Sequence, residues 1–174
     1  VSMLDSQIGE FLKQLEADGL ADSTIIFYYS DHGGVLGRSK RFIYESGLHI
    51  PLIIYFPPLY QHLAPAEAGS QTDRLVSFID LSPTLLSLCG LNPPENMQGK
   101  AFLGKFETDA RKYTYSFRGR MDERIDLVRS VRDKKFRYVK NYMPHKIYGQ
   151  YIEYLWRAPS MASWERAFNS GELN

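Results

Sequence analysis

The sequence predicts an α/β fold over its first 105 or so residues and a separate antiparallel unit over the remainder. The prediction comes from an amphipathic helix pattern near the start, two short runs of β-branched and aromatic residues, and alternating charged and apolar residues after about residue 110. Continuously apolar runs are typical of parallel strands covered by helices on both faces. Alternation instead suits a sheet with one solvated face. We therefore divide the chain into residues 1–108 and 109–174.

Composition excludes several classes of protein. The 174 residues are 44% hydrophobic and 14% aromatic, which is enough for a packed core and argues against disorder. The net charge of +1 gives no electrostatic reason to expect a nucleic-acid or membrane-surface partner. A single cysteine, Cys89, excludes an internal disulfide framework and a thiolate zinc cluster. No apolar run approaches the roughly 20 residues of a membrane span, so we expect no transmembrane segment.

The elements of the first part follow from local patterns. Apolar residues at helical spacing predict a first helix that ends at Gly19. Residues 23–30 and 51–56 are predicted as strands buried on both faces. Ser82 and Pro83 predict the N-cap and first turn of a short helix that closes at Gly90.

The second part is predicted to be a sheet of strands near 113–117, 125–132 and 136–140. Arginine and lysine alternate there with valine, phenylalanine and tyrosine. Asp133 and Lys134 are expected at the turn of a hairpin between the last two strands.

The residues best suited to chemistry follow the first predicted strand. In open α/β sheets, ligands gather beyond the carboxyl ends of the strands. Asp31 offers a hard oxygen ligand and His32 an imidazole nitrogen, and glycines at 33 and 34 allow the tight turn that would bring both onto one ion. Lys40 adds a cation that could neutralise an anionic group on that metal.

This stretch resembles the sulfatase family of the alkaline-phosphatase superfamily. The likeness rests on Ser30-Asp31-His32-Gly33, Lys40, the segment 44–54 that begins Tyr-Glu-Ser-Gly, the helix segment 80–86 and the segment 97–102. After residue 110, the segments 120–124, 129–136 and 141–144 are similar to bacterial relatives of the heparan N-sulfoglucosamine sulfohydrolases. The matching segments occur in the order of the second half of such enzymes.

The resemblance implies a fold, a cofactor and a reaction. The fold would be the C-terminal part of an alkaline-phosphatase-like α/β sandwich, followed by a small antiparallel α+β subdomain. Asp31 and His32 would be Ca²⁺ ligands, and Lys40 would be a catalytic residue that contacts the substrate sulfate. The nucleophile would be a formylglycine hydrate that attacks the sulfur of a sulfate ester or sulfamate on a sugar of the glycosaminoglycan type.

Four further residues are candidates for binding a sulfated saccharide. Arg38 is close enough in sequence to Lys40 to reach the same anion. Alternatively, Arg38 is a solvated loop residue without a role in binding. Arg118 and Arg120 could bind sulfate or carboxylate groups, or could form an ordinary charged sheet face. His145 could line the substrate cleft.

Two family features are absent from the sequence. The motif Cys/Ser-x-Pro/Ala-x-Arg that carries the nucleophile does not occur, since Cys89 is followed by Gly-Leu-Asn-Pro, and the paired aspartates of the metal site are missing. Both precede the present segment in the family. We therefore expect an internal or C-terminal fragment that is inactive alone and whose partner is the N-terminal half of the enzyme. The resemblance also implies a periplasmic, secreted or lysosomal location.

Two other readings remain open. A phosphodiesterase or phosphonate hydrolase of the same superfamily would use Zn²⁺ or Mn²⁺, which the imidazole of His32 favours, whereas Lys40 with the following Tyr-Glu-x-Gly favours a sulfatase. A non-catalytic glycan-binding module is the second alternative.

Overall fold

The computed structural model describes residues 2–147 and 149–173. The helices are α1 (Ser2–Ala17), α2 (Glu45–Leu48), α3 (Leu81–Leu88), α4 (Glu153–Trp156) and α5 (Pro159–Asn169). The strands are β1 (Ile26–Tyr29), β2 (Leu52–Tyr55), β3 (Thr114–Met121), β4 (Arg124–Arg132) and β5 (Arg137–Asn141). Short 3₁₀ helices occupy Ala21–Ser23, Pro58–Leu63 and Phe78–Asp80.

Contacts divide the chain into two compact units. One comprises Val1–Tyr28 and Leu52–Ala110, and the other comprises Tyr29–Pro51 and Arg111–Asn174. The loop that follows β1 is thus grouped with the C-terminal part of the chain. The division of the chain into domains between residues 108 and 109 stays a prediction.

The first unit contains α1, α3 and a two-stranded sheet of β1 and β2. α1 ends as predicted, because Gly19 adopts a left-handed conformation with a φ of +69° just after the helix. The expectation that both strands are buried on both faces is wrong for this chain. In β2, Ile53 is 60% exposed and Tyr55 51% exposed, and in β1 Tyr29 is 47% exposed. A continuous apolar run does not reveal which faces are covered, and β1 and β2 pair only with each other among the described residues.

One face of α3 organises the loop that follows it. Asp80, Thr84 and Ser87 are all buried and lie on one side of the helix. They accept hydrogen bonds from the backbone N–H groups of residues 100, 102 and 106, at 2.7, 3.1 and 2.8 Å. The helix begins at Leu81 with Asp80 as its N-cap, so the prediction that Ser82 caps it is wrong. The preceding 3₁₀ helix already turns the chain, which moves the helix start upstream of Ser82.

Asp80→Ala should lower the free energy of unfolding by about 2–4 kcal/mol, because two backbone N–H groups lose a buried acceptor. The carboxylate of Asp80 accepts from Ser77 at 2.9 Å and from Lys100 at 2.7 Å. Urea denaturation followed by circular dichroism measures the loss. The exposed Asp109→Ala is the matched control, expected within about 0.5 kcal/mol of the parent chain. Equal midpoints for the two variants would contradict the prediction.

The second unit is built on an antiparallel sheet in the order β3-β4-β5. The predicted hairpin at Asp133 and Lys134 is confirmed, and the Asp133 carboxylate accepts the N–H of Lys135 and of Phe136. β3 is longer than predicted and contains a register shift between Arg118 and Arg120. The alternation of apolar and charged residues, which predicts the strand, is interrupted at Gly119 because glycine has no side chain.

The core of this unit joins the segment after β1 to the C-terminal helices. Its buried members are Phe42, Ile152, Leu155, Ala158 and Met161. Ile152 and Leu155 are fully buried. The segment that carries the candidate site residues is therefore anchored by packing that begins at Phe42, two residues after Lys40.

None of the helices in the described part of the chain combines the length and apolar character that crossing a bilayer requires.

Candidate active site

The loop between β1 and α2 is held in shape by its own backbone. The Gly33 N–H donates to the Gly47 carbonyl at 3.0 Å, and the Lys40 N–H donates to the Gly34 carbonyl at 3.1 Å. Ser39 Oγ donates to the Ser46 carbonyl at 2.7 Å. A Cβ atom at position 33 would lie 1.8 Å from that same Ser46 carbonyl oxygen. Glycine is thus required at position 33 by the close approach of α2.

The loop brings Asp31, His32 and Lys40 together. Asp31 Oδ2 lies 3.0 Å from Lys40 Nζ and 3.1 Å from His32 Nδ1. The Asp31 side chain is 71% exposed and the Lys40 side chain only 20% exposed. The hydrogen bond from Lys40 is the main cause that lowers the pKa of Asp31 from 3.8 to about 2, and the neighbouring His32 adds to this shift. Asp31 is therefore a carboxylate at every pH at which the protein would work.

These two donors fit part of a metal site. Two ligand atoms that each lie about 2.3–2.6 Å from one Ca²⁺, at nearly a right angle, are about 3–4 Å apart. Asp31 Oδ2 and His32 Nδ1 are separated by 3.1 Å, which falls in that range. Within residues 2–147 and 149–173, no group of three or more His, Cys, Asp or Glu side chains is arranged to hold an ion. The assignment of Asp31 and His32 as metal ligands stays a prediction.

The predicted substrate-binding residues lie in different surroundings. Arg38 is in the same loop as Lys40, with its guanidinium carbon 5.1 Å from the centre of the Tyr44 ring. His145 is exposed in the segment after β5. The structure brings only Arg38 into the same loop as the Asp31, His32 and Lys40 cluster. Binding of substrate by Arg38 and His145 stays a prediction.

The two arginines of β3 make protein contacts. Arg118 is 4% exposed, lies 3.3 Å from Asp126 and stacks over the Phe42 ring at 4.7 Å. Arg120 Nε donates to the Asp122 carbonyl at 2.8 Å. Arg118 thus supports the core beside Phe42, and a role of either arginine in substrate binding stays a prediction.

Comparisons with known proteins identify the family of this chain. The family model for sulfatases matches residues 1–91, which is more than half of the chain. The chain belongs to the sulfatase family. The family and fold expected from the sequence are therefore confirmed.

Individual sulfatases align with much of the chain. An ulvan-active sulfatase of Formosa agariphila is 45% identical over all 174 residues, which cover 28% of that protein. An N-acetylglucosamine-6-O-sulfatase of Bacteroides thetaiotaomicron is 36% identical over 66% of this chain and 21% of its own length. A structure solved with its substrate D-glucosamine-2-N,6-O-disulfate matches 80% of this chain and 30% of that one, with a TM-score of 0.66 and 30% identity. The chain spans less than a third of these relatives.

In this sulfatase chain, Glu45 ties the site loop to the sheet. Its carboxylate accepts from Arg132 Nε at 3.1 Å and from Arg137 Nη2 at 2.8 Å. The next two residues provide the Ser46 and Gly47 carbonyls that hold Ser39 and Gly33. In the sequence, Glu45 stands out only as part of the Tyr-Glu-x-Gly motif. Its partners lie 87 and 92 residues away, so no local signal could identify them.

The Glu45 contacts should make the sulfatase chain less stable below about pH 4.5. Partial burial raises the pKa of Glu45, but hydrogen bonds and charges from Arg132 and Arg137 outweigh it, so the pKa falls below its ordinary value of 4.5. A lowered pKa stabilises the fold above 4.5 and loses that contribution as the pH drops through the folded value. The side chain is 44% exposed, so solvent screening keeps the effect modest.

Unfolding free energies measured from pH 6 to pH 3 test this dependence. The parent chain should lose stability more steeply than Glu45→Gln in the acid range. Glu165→Gln, at an exposed glutamate of α5 with no described ion-pair partner, should follow the parent curve. Parallel curves for the parent chain and Glu45→Gln would refute the assignment.

Proposed function

We propose that the protein containing this chain is a metal-dependent hydrolase of sugar sulfate esters or sulfamates, and that this chain supplies one part of its active site. The observation that carries the proposal is the contact of Asp31 with His32 and Lys40 at 3.0–3.1 Å in a family-typical loop. Two metal-ligand types and a cation within hydrogen-bond distance suit an anionic tetrahedral substrate.

Each residue of the cluster would have a distinct task. Asp31 and His32 would hold Ca²⁺, with Zn²⁺ or Mn²⁺ as the alternative ions. A bound cation would supply positive charge that withdraws electrons from the sulfuryl group, and a formylglycine outside this chain would supply the nucleophile. Lys40 donates one of its three N–H groups to Asp31, so two remain for sulfate oxygens on which negative charge grows in the transition state.

The substrate class comes from the relatives. Their names refer to ulvan, to N-acetylglucosamine 6-O-sulfate and to a glucosamine disulfate. A sulfated saccharide, including the glycosaminoglycan type, is therefore the proposed substrate. The proposal further includes an N-terminal part of the enzyme as the partner that completes the site and an exported or lysosomal location, as is usual for the family.

Activity on matched esters tests this function. The purified protein containing this chain should release sulfate from sulfated monosaccharides and much less phosphate from the corresponding phosphate esters. Elemental analysis should find calcium, and chelation should remove activity that added Ca²⁺ restores. Preferential phosphate release with bound zinc or manganese would favour a phosphodiesterase or phosphonate hydrolase. Glycan binding that is unaffected by Asp31→Ala and occurs without turnover would favour a binding module.

A further inference from the structure

Lys40 lies in the second of two consecutive tight turns, each with an arginine where glycine is favoured. The Ser39 N–H donates to the Leu36 carbonyl at 3.2 Å, and the Phe42 N–H donates to the Ser39 carbonyl at 3.0 Å. The third residue of each turn has a positive φ, +63° at Arg38 and +75° at Arg41. That arrangement is typical of type II turns, in which the third position is usually glycine because a Cβ is strained there. Some other interaction must therefore stabilise an arginine at position 41.

The Arg41 side chain is held by the hairpin between β3 and β4 and by α4. Its Nη1 forms an ion pair with Asp122 Oδ2 and a 3.4 Å contact with Met121 Sδ. The guanidinium carbon lies 4.1 Å from the centre of the Tyr154 ring, which is close enough for a cation–π interaction. The Arg41 side chain is only 16% exposed. The guanidinium is thus enclosed between a carboxylate and an aromatic face.

The hairpin that receives Arg41 has an uncommon backbone conformation at the contact. Asp122 has a φ of +49°, and Arg38, Arg41 and Asp122 are the non-glycine residues with positive φ in the described part of the chain. Two of these three form one ion pair although they are 81 residues apart. Backbone strain persists where the surrounding structure fixes it, and it concentrates at functional sites.

We infer that Arg41 is a positioning residue, which fixes the turn that presents Lys40 by locking its own side chain onto Asp122 and Tyr154. Lys40 directly precedes Arg41, so a change of φ at Arg41 would change the direction in which the Lys40 side chain points. The buried Phe42 ring anchors the turn on one side, and the Arg41 contacts prevent rotation about that anchor. The claim that Arg41 supports catalysis by Lys40 rests on the proposed function, whereas the claim that Arg41 fixes the turn does not.

Arg41→Gly is the informative variant. Glycine adopts the positive φ without strain, so the turn should persist while the side-chain lock is lost. Lys40 should then sample more orientations. In ¹H–¹⁵N spectra of lysine ammonium groups, assigned with Lys40→Arg, the Lys40 signal should move toward that of an exposed lysine. In the protein containing this chain, kcat for sulfate release should fall about 10- to 100-fold with a smaller change in KM, as expected for misplacement of a catalytic group.

Asp122→Asn supplies an independent test from the other side of the contact. Asparagine tolerates a positive φ, so this variant keeps the hairpin and removes only the charge. It should reproduce the Arg41→Gly effects in weaker form, and the double variant should be no worse than Arg41→Gly. Arg166→Gln, at an exposed position of α5, is the control and should change neither the spectrum nor kcat.

The two readouts separate failure of the inference from failure of the proposed function. An unchanged Lys40 signal in both Arg41→Gly and Asp122→Asn would overturn the positioning role, whatever the activity. A shifted Lys40 signal in a protein without sulfatase activity would support the positioning role and refute the proposed reaction. If Arg41→Gly does not fold, the spectrum of Asp122→Asn decides the question.

Discussion

Replacement of Lys40 by alanine should lower kcat/KM for sulfate release about 100- to 1,000-fold in the protein containing this chain. That range is typical for removal of one group that stabilises developing negative charge in a transition state. Lys40 Nζ lies 3.0 Å from Asp31 Oδ2, and the Lys40 side chain is only 20% exposed. Steady-state kinetics on a sulfated monosaccharide measures the effect.

Controls for Lys40→Ala must separate charge from fold. Lys112→Ala removes an exposed lysine before β3 and should leave kcat/KM unchanged. Lys40→Arg keeps the charge but replaces a compact ammonium group with a larger, planar guanidinium group, so it should retain only part of the parent activity. Circular dichroism should show the same fold for all variants. A Lys40→Ala enzyme within threefold of the parent would exclude a direct role in stabilising the transition state.

Gly33→Ala should disrupt the site and the unit that carries it. The new methyl group would lie 1.8 Å from the Ser46 carbonyl oxygen and 2.7 Å from Ser39 Oγ, so either the loop or α2 must move. Overpacking of this kind costs about 1–3 kcal/mol of stability. Because Asp31 and His32 directly precede the clash, metal affinity and turnover should fall together. Urea denaturation and Ca²⁺ titration calorimetry, done on the protein containing this chain, measure the two effects.

The adjacent glycine provides a matched control. A Cβ at position 34 would have its nearest neighbour at 3.8 Å, an ordinary van der Waals contact. Gly34→Ala should therefore leave stability within about 0.5 kcal/mol and metal affinity unchanged. Equal losses for Gly33→Ala and Gly34→Ala would mean that the loop needs glycine for flexibility and not for the close approach of α2.

Local patterns predicted the elements whose causes are local. The end of α1 at Gly19 and the hairpin at Asp133 depend on residues within a few positions of each other, and both are confirmed. The start of α3 was misplaced at Ser82, because the preceding 3₁₀ helix was not visible in the pattern. Burial of β1 and β2 was predicted wrongly, since the cover over a strand is decided by chain far away in sequence or outside it.

The family, the first helix, the hairpin at Asp133 and the grouping of Asp31, His32 and Lys40 in one glycine-rich loop can all be predicted from the sequence alone. A motif within ten residues suffices for that, because the loop closes through its own backbone. What holds the loop in place depends instead on contacts between distant parts of the chain. Glu45 meets Arg132 and Arg137, and Arg41 meets Asp122, across 81 to 92 residues of chain. Such pairings depend on how the strands and helices pack, and charge alone does not select one arginine of the sheet over another.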